Sequence, residues 1–89
     1  MYYVYFLKLM NNQTYTGFTN DLKRRVLEHQ SGKVFYTKAH LPLQLIGYEA
    51  YLIKEDALRR EKFLKTTEGK RLFRQQYRDI LKQSAGEVA

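Results

Sequence analysis

Three observations along the chain predict one small domain of mixed α and β type. Residues 2–9, YYVYFLKL, are apolar or aromatic at both parities, as in a strand buried on both faces. Turn residues and a second β-favouring run follow at once, which marks a hairpin. Beyond it lie one further strand-like run and three helical patterns. The 89 residues leave room for a single core, and an apolar fraction of 44% supplies enough side chains for a modest one.

The elements follow in order. Met10-Asn11-Asn12-Gln13 turns the chain, and Thr14-Tyr15-Thr16-Gly17-Phe18 resumes strand chemistry. A three-residue loop at 11–13 would set Leu9 opposite Tyr15 and Leu7 opposite Gly17, placing Tyr5 and Tyr15 on one face. Thr19 or Asn20 can cap a helix that carries Asp21 in its first turn and runs to Gln30, with Gly32 as its stop. Residues 33–40 read as a basic, partly polar loop, and residues 43–52, after Pro42, as a strand. A helix over 55–65, cap candidates Thr66 and Thr67, and a second helix over 68–82 complete a domain of residues 1–82. Residues 83–89 read as a fraying tail.

Composition excludes whole classes of chemistry. With no cysteine there is no disulfide, thiol nucleophile or thiolate zinc site. No apolar run approaches the ~18 residues that span a bilayer, and no signal-peptide pattern opens the chain, so the expected location is the cytoplasm. Sixteen Lys and Arg against nine Asp and Glu leave a formal charge of +7, which favours a polyanion as partner. Nucleic acid comes ahead of an anionic membrane.

Glu61 is the most informative position. With Ala57 at 0° and about 100° per residue, Leu58 falls near 100°, Leu64 near 340° and Glu61 near 40°, inside the apolar stripe. A carboxylate there needs a cation or several donors. A hard divalent metal such as Mg²⁺ would serve, since it takes few protein carboxylates and keeps several waters. An Arg such as Arg25 is the plain alternative. Eight tyrosines without a tryptophan form the second signal, with Tyr2, Tyr3, Tyr5 and Tyr15 in or beside the hairpin. Each can be a packing residue, or a phenol whose pKa falls from about 10 beside a metal or guanidinium and takes a proton from water. Arg25 and His29, at i and i+4, offer a phosphate fork and a proton-exchanging ring. Lys33, Lys38, Lys54, Arg59, Arg60, Lys62, Lys65, Lys70, Arg71 and Arg74 make a diffuse phosphate-attracting field.

Taken together, these residues resemble the GIY-YIG nuclease family over roughly residues 1–80. Tyr3-Val4-Tyr5 matches its first motif and Tyr15-Thr16-Gly17 its second, ten residues on; ten more bring Arg25, then His29. Glu61, in LRREKFLK, matches the family's metal-binding glutamate, and the chain looks most like the small standalone bacterial members. Tyr3 stands where the first motif usually has glycine, Val4 and Thr16 replace isoleucines, and Phe18 takes a place where many relatives carry lysine.

The resemblance implies a small α/β (α+β) sandwich, a three-stranded antiparallel sheet with about three flanking helices. It further implies a metal-dependent endonuclease that hydrolyses phosphodiester bonds in DNA, structure-selective or nonspecific, with RNA not excluded as substrate. Glu61 would hold one Mg²⁺ or Mn²⁺, Tyr5 would be the general base with Tyr15 close behind, Arg25 would neutralise phosphoryl charge, and His29 would position water or a hydroxyl. Gly17 would leave backbone open beside Tyr15, and it joins Lys33, Lys38, Arg59, Arg60 and Lys62 as a nucleic-acid contact. The alternative is a binding module of the same fold with weak or no turnover. Oligomeric state stays open between a monomer and a weak homodimer joined through exposed aromatics.

Overall fold

The computed structural model of the protein describes residues 1–83. Its element order is β1 (Tyr2–Lys8), β2 (Thr14–Thr19), α1 (Leu22–Gln30), a short 3₁₀ turn (Lys38–His40), β3 (Gln44–Tyr51), α2 (Lys54–Leu64), α3 (Thr67–Gln76) and α4 (Arg78–Leu81). The strands form one antiparallel sheet in the order β2-β1-β3. β1, apolar at both parities, is therefore central, with a face to cover on each side. Among the described residues no helix is long and apolar enough to cross a membrane.

Register differs from the expectation in an instructive way. Leu7 lies opposite Tyr15 and Tyr5 opposite Gly17, two residues from the anticipated pairing. The turn is longer than three residues because Leu9 N–H donates to the Gln13 carbonyl and Asn12 takes a positive φ of 67°. Asn11 Oδ1 also accepts from Gln13 N–H across the turn. Strand side chains repeat every two residues, so a two-residue shift leaves each on the same face. Tyr5 and Tyr15 remain together.

The two faces carry separate cores. Val4 and Phe6 point to the face covered by Ala57 and Leu64 of α2 and Phe73 of α3, with Tyr2, Phe18, Ile46 and Tyr77 packed around them. Tyr5, Leu7 and Leu9 point to the other face, with Leu43, Tyr15, Leu22, Leu41 and Leu45. Between Phe6 and Leu7 the β1–β3 pairing skips Ile46, a bulge that turns this side chain to the α2–α3 core.

Helix boundaries follow their caps. α1 starts one residue later than anticipated: Asp21 Oδ1 accepts from Arg24 N–H, while Thr19 Oγ1 accepts from Asp21 N–H and sets up the turn before it. Its end has the expected glycine, with Gly32 N–H bonded to the His29 carbonyl and Lys33 N–H to that of Glu28. Thr66 caps α3 through Gly69 N–H. The single helix expected over 68–82 breaks at Tyr77. There the backbone turns and the ring stacks on Phe73 at 4.5 Å and edge-on to Phe6 at 5.3 Å. Buried Lys8, at the end of β1, donates to the carbonyls of Ile80 and Gln83, so a cation closes the C-terminal end of α4. The proposed tail, apart from Gln83, lies outside the described residues.

Gly69 sets how closely α3 approaches the end of α2: a Cβ there would fall on the Phe63 carbonyl oxygen and the Leu64 Cα, both backbone atoms. Gly69→Ala should therefore destabilise the protein by about 2 kcal/mol despite its better helix propensity. Thermal unfolding should show a midpoint lower by about 10 °C. An unchanged midpoint would mean that the two helices can separate freely.

Candidate active site

The β1–α1 face gathers four of the expected residues. Tyr5, 1% exposed, projects from the centre of β1. His29, fully buried in the last turn of α1, brings Nε2 to 2.8 Å from the Tyr5 hydroxyl. Tyr15 closes the third side: its ring centroid is 5.1 Å from that of His29 and 6.2 Å from that of Tyr5. The Arg25 guanidinium, one turn before His29, pairs with Glu28 at 3.1 Å and lies near enough for its charge to act on the Tyr5 phenol. Gly17 makes this possible, because a Cβ there would fall on the phenol ring of Tyr5. The expectation of open backbone at Gly17 is thus corrected. The residue is buried, and the room it leaves is filled by Tyr5, which removes it as a nucleic-acid contact.

Hydrogen-bond directions follow from what each group can give. The Arg25 charge favours the arrangement in which the Tyr5 oxygen turns its lone pairs toward the guanidinium and directs its hydrogen to His29 Nε2. A neutral imidazole that accepts at Nε2 carries its proton on Nδ1, which donates to Thr37 Oγ1 at 2.8 Å. Thr37 is fully buried. Sequence reading missed this residue by treating 33–40 as a polar loop; its one local signal is a threonine between apolar Val34 and the Lys38–His40 turn.

Protonation states are set chiefly by burial. It pushes the Tyr5 phenol up to about 12, against the pull of Arg25 and with a small addition from Tyr15. The guanidinium by itself therefore does not lower the phenol as anticipated, since the desolvation outweighs it. Burial also lowers His29 to about 4; the Arg25 charge adds to the fall and Glu28 opposes it. For Arg25, burial works against the charge, but the Tyr5 and Glu28 hydrogen bonds outweigh it and hold the pKa above its ordinary value. At neutral pH the cluster is a phenol and an imidazole, both uncharged, beside one fixed cation.

Glu61 stands apart from this cluster. It lies on α2 between buried Ala57 and Leu64, with its side chain 21% exposed, and pairs with Lys65 at 3.3 Å rather than with Arg25. Leu58, expected in the stripe, is exposed. Among the described residues no hydrogen bond or ion pair joins Glu61 to Tyr5, Tyr15, Arg25 or His29. A cleft of about 660 Å³ beside Tyr15 is lined by Thr16 of β2, Leu64 and Lys65 at the end of α2, and Lys70 and Arg74 of α3.

The remaining cations divide. Arg60 forks onto Glu49 at 3.0 and 3.2 Å, and Glu49 also accepts from the Tyr51 hydroxyl at 2.6 Å. Arg60 is therefore a brace between α2 and β3 instead of a free phosphate contact. Arg59 pairs with Asp56 on the solvent side of α2. Lys33, Lys38 and Lys62 are exposed, and Lys38 sits 5.2 Å from the centroid of the Phe35 ring. Phe18 stacks on Tyr2 at 6.2 Å on the opposite face, so this position adds to the core and not to the site.

Residues 1–77 match the family model of the GIY-YIG catalytic domain. The chain belongs to the GIY-YIG family. Its relatives include a UPF0213 protein of Bacillus pumilus, 39% identical over 66 residues that cover 73% of this chain and 67% of that one. A UPF0213 protein of Streptococcus agalactiae is 42% identical over 64 residues, covering 71% and 73%. The solution NMR structure of a UPF0213 protein from Bacillus halodurans is 34% identical with a TM-score of 0.50, covering 98% of this chain and 89% of that chain. Within the GIY-YIG domain, the Tyr5–His29–Thr37 chain ties β1 to α1 and to the loop that follows.

A depressed His29 pKa makes stability depend on pH with a definite sign. Between about 4 and 6.5 the unfolded chain holds a proton that the folded chain lacks, so acid favours unfolding; above 6.5 neither state carries it. Urea denaturation should therefore show stability rising from pH 4 to 6.5 with uptake of roughly one proton on unfolding from this group. That component should vanish in His29→Asn. NMR titration of the ring in the folded protein with a midpoint near 6.5 would contradict the buried geometry.

Proposed function

We propose that this GIY-YIG domain is a metal-dependent endonuclease that hydrolyses phosphodiester bonds in DNA and works in the cytoplasm. The observation that carries the reading is the Tyr5 hydroxyl, bonded to His29 Nε2 at 2.8 Å on a sheet face shared with Tyr15, with the Arg25 charge acting on the phenol. A buried phenol bonded to a neutral imidazole beside a guanidinium charge is an arrangement that can relay a proton. An attacking water can pass its proton to Tyr5 Oη while Tyr5 passes its own to His29 Nε2. His29 is unprotonated at neutral pH, so Nε2 has a lone pair for it, and burial beside Arg25 makes the imidazolium give the proton up again readily. A phenol held at about 12 forms little free phenolate, so the relay moves both protons in concert.

Arg25 has the other task. Its planar fork, partly exposed at 34%, can turn from Glu28 to the phosphoryl oxygens and meet the charge that builds there. Among the described residues no cluster of three or more His, Asp or Glu could hold a metal, and both nitrogens of His29 are already bonded. A single carboxylate suits a hard cation, Mg²⁺ or Mn²⁺, which takes few protein ligands and keeps several waters, and Glu61 would hold it. Displacing the single Lys65 contact would free Glu61 for that role. The chemistry such a cation supplies when bound is polarisation of the phosphate and stabilisation of the leaving oxygen.

The test is nicking of plasmid, flap and junction DNA by purified protein with Mg²⁺ or Mn²⁺, stopped by EDTA. Glu61→Gln should abolish cleavage with an unchanged circular dichroism spectrum, and Tyr5→Phe or Arg25→Ala should each slow it by about 10²- to 10³-fold. Cleavage equal to wild type in Glu61→Gln would remove that carboxylate from the mechanism. Salt-sensitive binding with no cleavage of any substrate would identify a binding module instead.

A further inference from the structure

Phe35 and Tyr36 are the most conspicuous side chains that this mechanism leaves unused. They are 74% and 75% exposed, yet their neighbours Val34 and Thr37 are 6% and 0% exposed. Thr37 N–H donates to the Val34 carbonyl at 3.2 Å, so the two aromatics form the corner of a turn pinned at both ends. Their rings meet edge to face at 5.6 Å and 83°, and Lys38 Nζ lies 5.2 Å from the Phe35 centroid. Exposed Lys33 stands just before the turn. Burying one anchor on each side while presenting two large rings to solvent has no use in packing.

From this juxtaposition we infer that the Phe35–Tyr36 turn is a stacking platform for unpaired nucleobases beside the scissile bond. It rests on the nuclease reading and sharpens it: the substrate class becomes nucleic acid with a single-stranded arm, as in a flap, a fork or a frayed end. Three features select this occupant. Every base has a flat face that an exposed aromatic can stack on, without regard to sequence. Lys33 and Lys38 supply cations for the phosphates between stacked bases, in a chain of net charge +7. Position supplies the third, since Tyr36 is covalently joined to Thr37, whose hydroxyl lies 2.8 Å from His29 Nδ1. The His29 ring alone thus separates the turn from the Tyr5 hydroxyl. In paired DNA the bases stack on one another and offer the platform nothing.

The experiment measures binding of fluorescent ligands to the full chain in EDTA, so that nothing is cut. The ligands are oligothymidylate, oligouridylate, and a blunt duplex of equal charge. The Phe35→Leu/Tyr36→Leu double variant, which keeps an apolar corner, should bind at least one single strand about tenfold more weakly or worse, and the duplex within about twofold of wild type. Tyr36→Trp should keep single-strand affinity, and its indole, the sole tryptophan of the chain, should be quenched on binding. Equal losses on single strand and duplex, or no loss on either single strand, overturn the inference. So does a change in sedimentation between wild type and the double variant, which would assign the rings to contact between copies of the chain. Adding Mg²⁺ separates the two readings. Ring-dependent single-strand preference without cleavage keeps the platform and rejects the nuclease, whereas cleavage that the double variant performs equally on flap and duplex does the reverse.

Discussion

The hydrogen bond between the Tyr5 hydroxyl and His29 Nε2 is the constraint around which one side of the molecule is arranged. Both groups are buried, and either one without the other would leave a polar atom inside the protein with nothing to bond. Satisfying both requires α1 to dock with its last turn over β1. It requires β2 to carry no side chain at Gly17, where the phenol lies, and the chain after α1 to fold back so that Thr37 meets Nδ1. No buried side-chain nitrogen or oxygen among the described residues is left unpartnered. Interior polar chemistry here is fully satisfied, which fixes the cluster in one arrangement.

That arrangement gives the two faces of one strand different work. The face of Val4 and Phe6 is packed by α2 and α3 in the ordinary manner of a small domain. Its charged residues serve structure: Lys8 closes α4, and Arg60 ties α2 to β3 through Glu49. The face of Tyr5 mixes aromatic packing with hydrogen bonding, and a single guanidinium, Arg25, sets its electrostatic sign. Because the phenol and imidazole are neutral, the formal charges beside this face are those of Arg25 and its ion-pair partner Glu28.

How far the sequence could be read depended on whether the relevant physics was local. The pairing of Tyr5 and Tyr15 on one face was legible even though the turn length was not, because side-chain alternation survives a shift of two. The end of α1 was legible from Gly32, a purely local backbone signal. Thr37 was not legible, since nothing in the composition of 33–40 distinguishes a threonine that solvates itself from one that meets a histidine eight residues away. The fall expected for the Tyr5 pKa failed for a related reason: the guanidinium could be counted from the sequence, but the degree of burial could not. Arg60 looked like any surface cation until Glu49, eleven residues away, was brought beneath it.

Patterns that act within a few residues, including strand alternation, the glycine after α1 and the cation excess, were decided by the chain itself, as was the family to which its tyrosine, arginine and glutamate spacing points. Packing decided which of those groups are neutral, which cations are already paired, and that Glu61 bonds to Lys65 and not to the tyrosine cluster. The division has one cause. Backbone preference and periodicity are properties of neighbours in sequence, whereas desolvation and hydrogen-bond partnership depend on what the rest of the chain places around a group once it has folded.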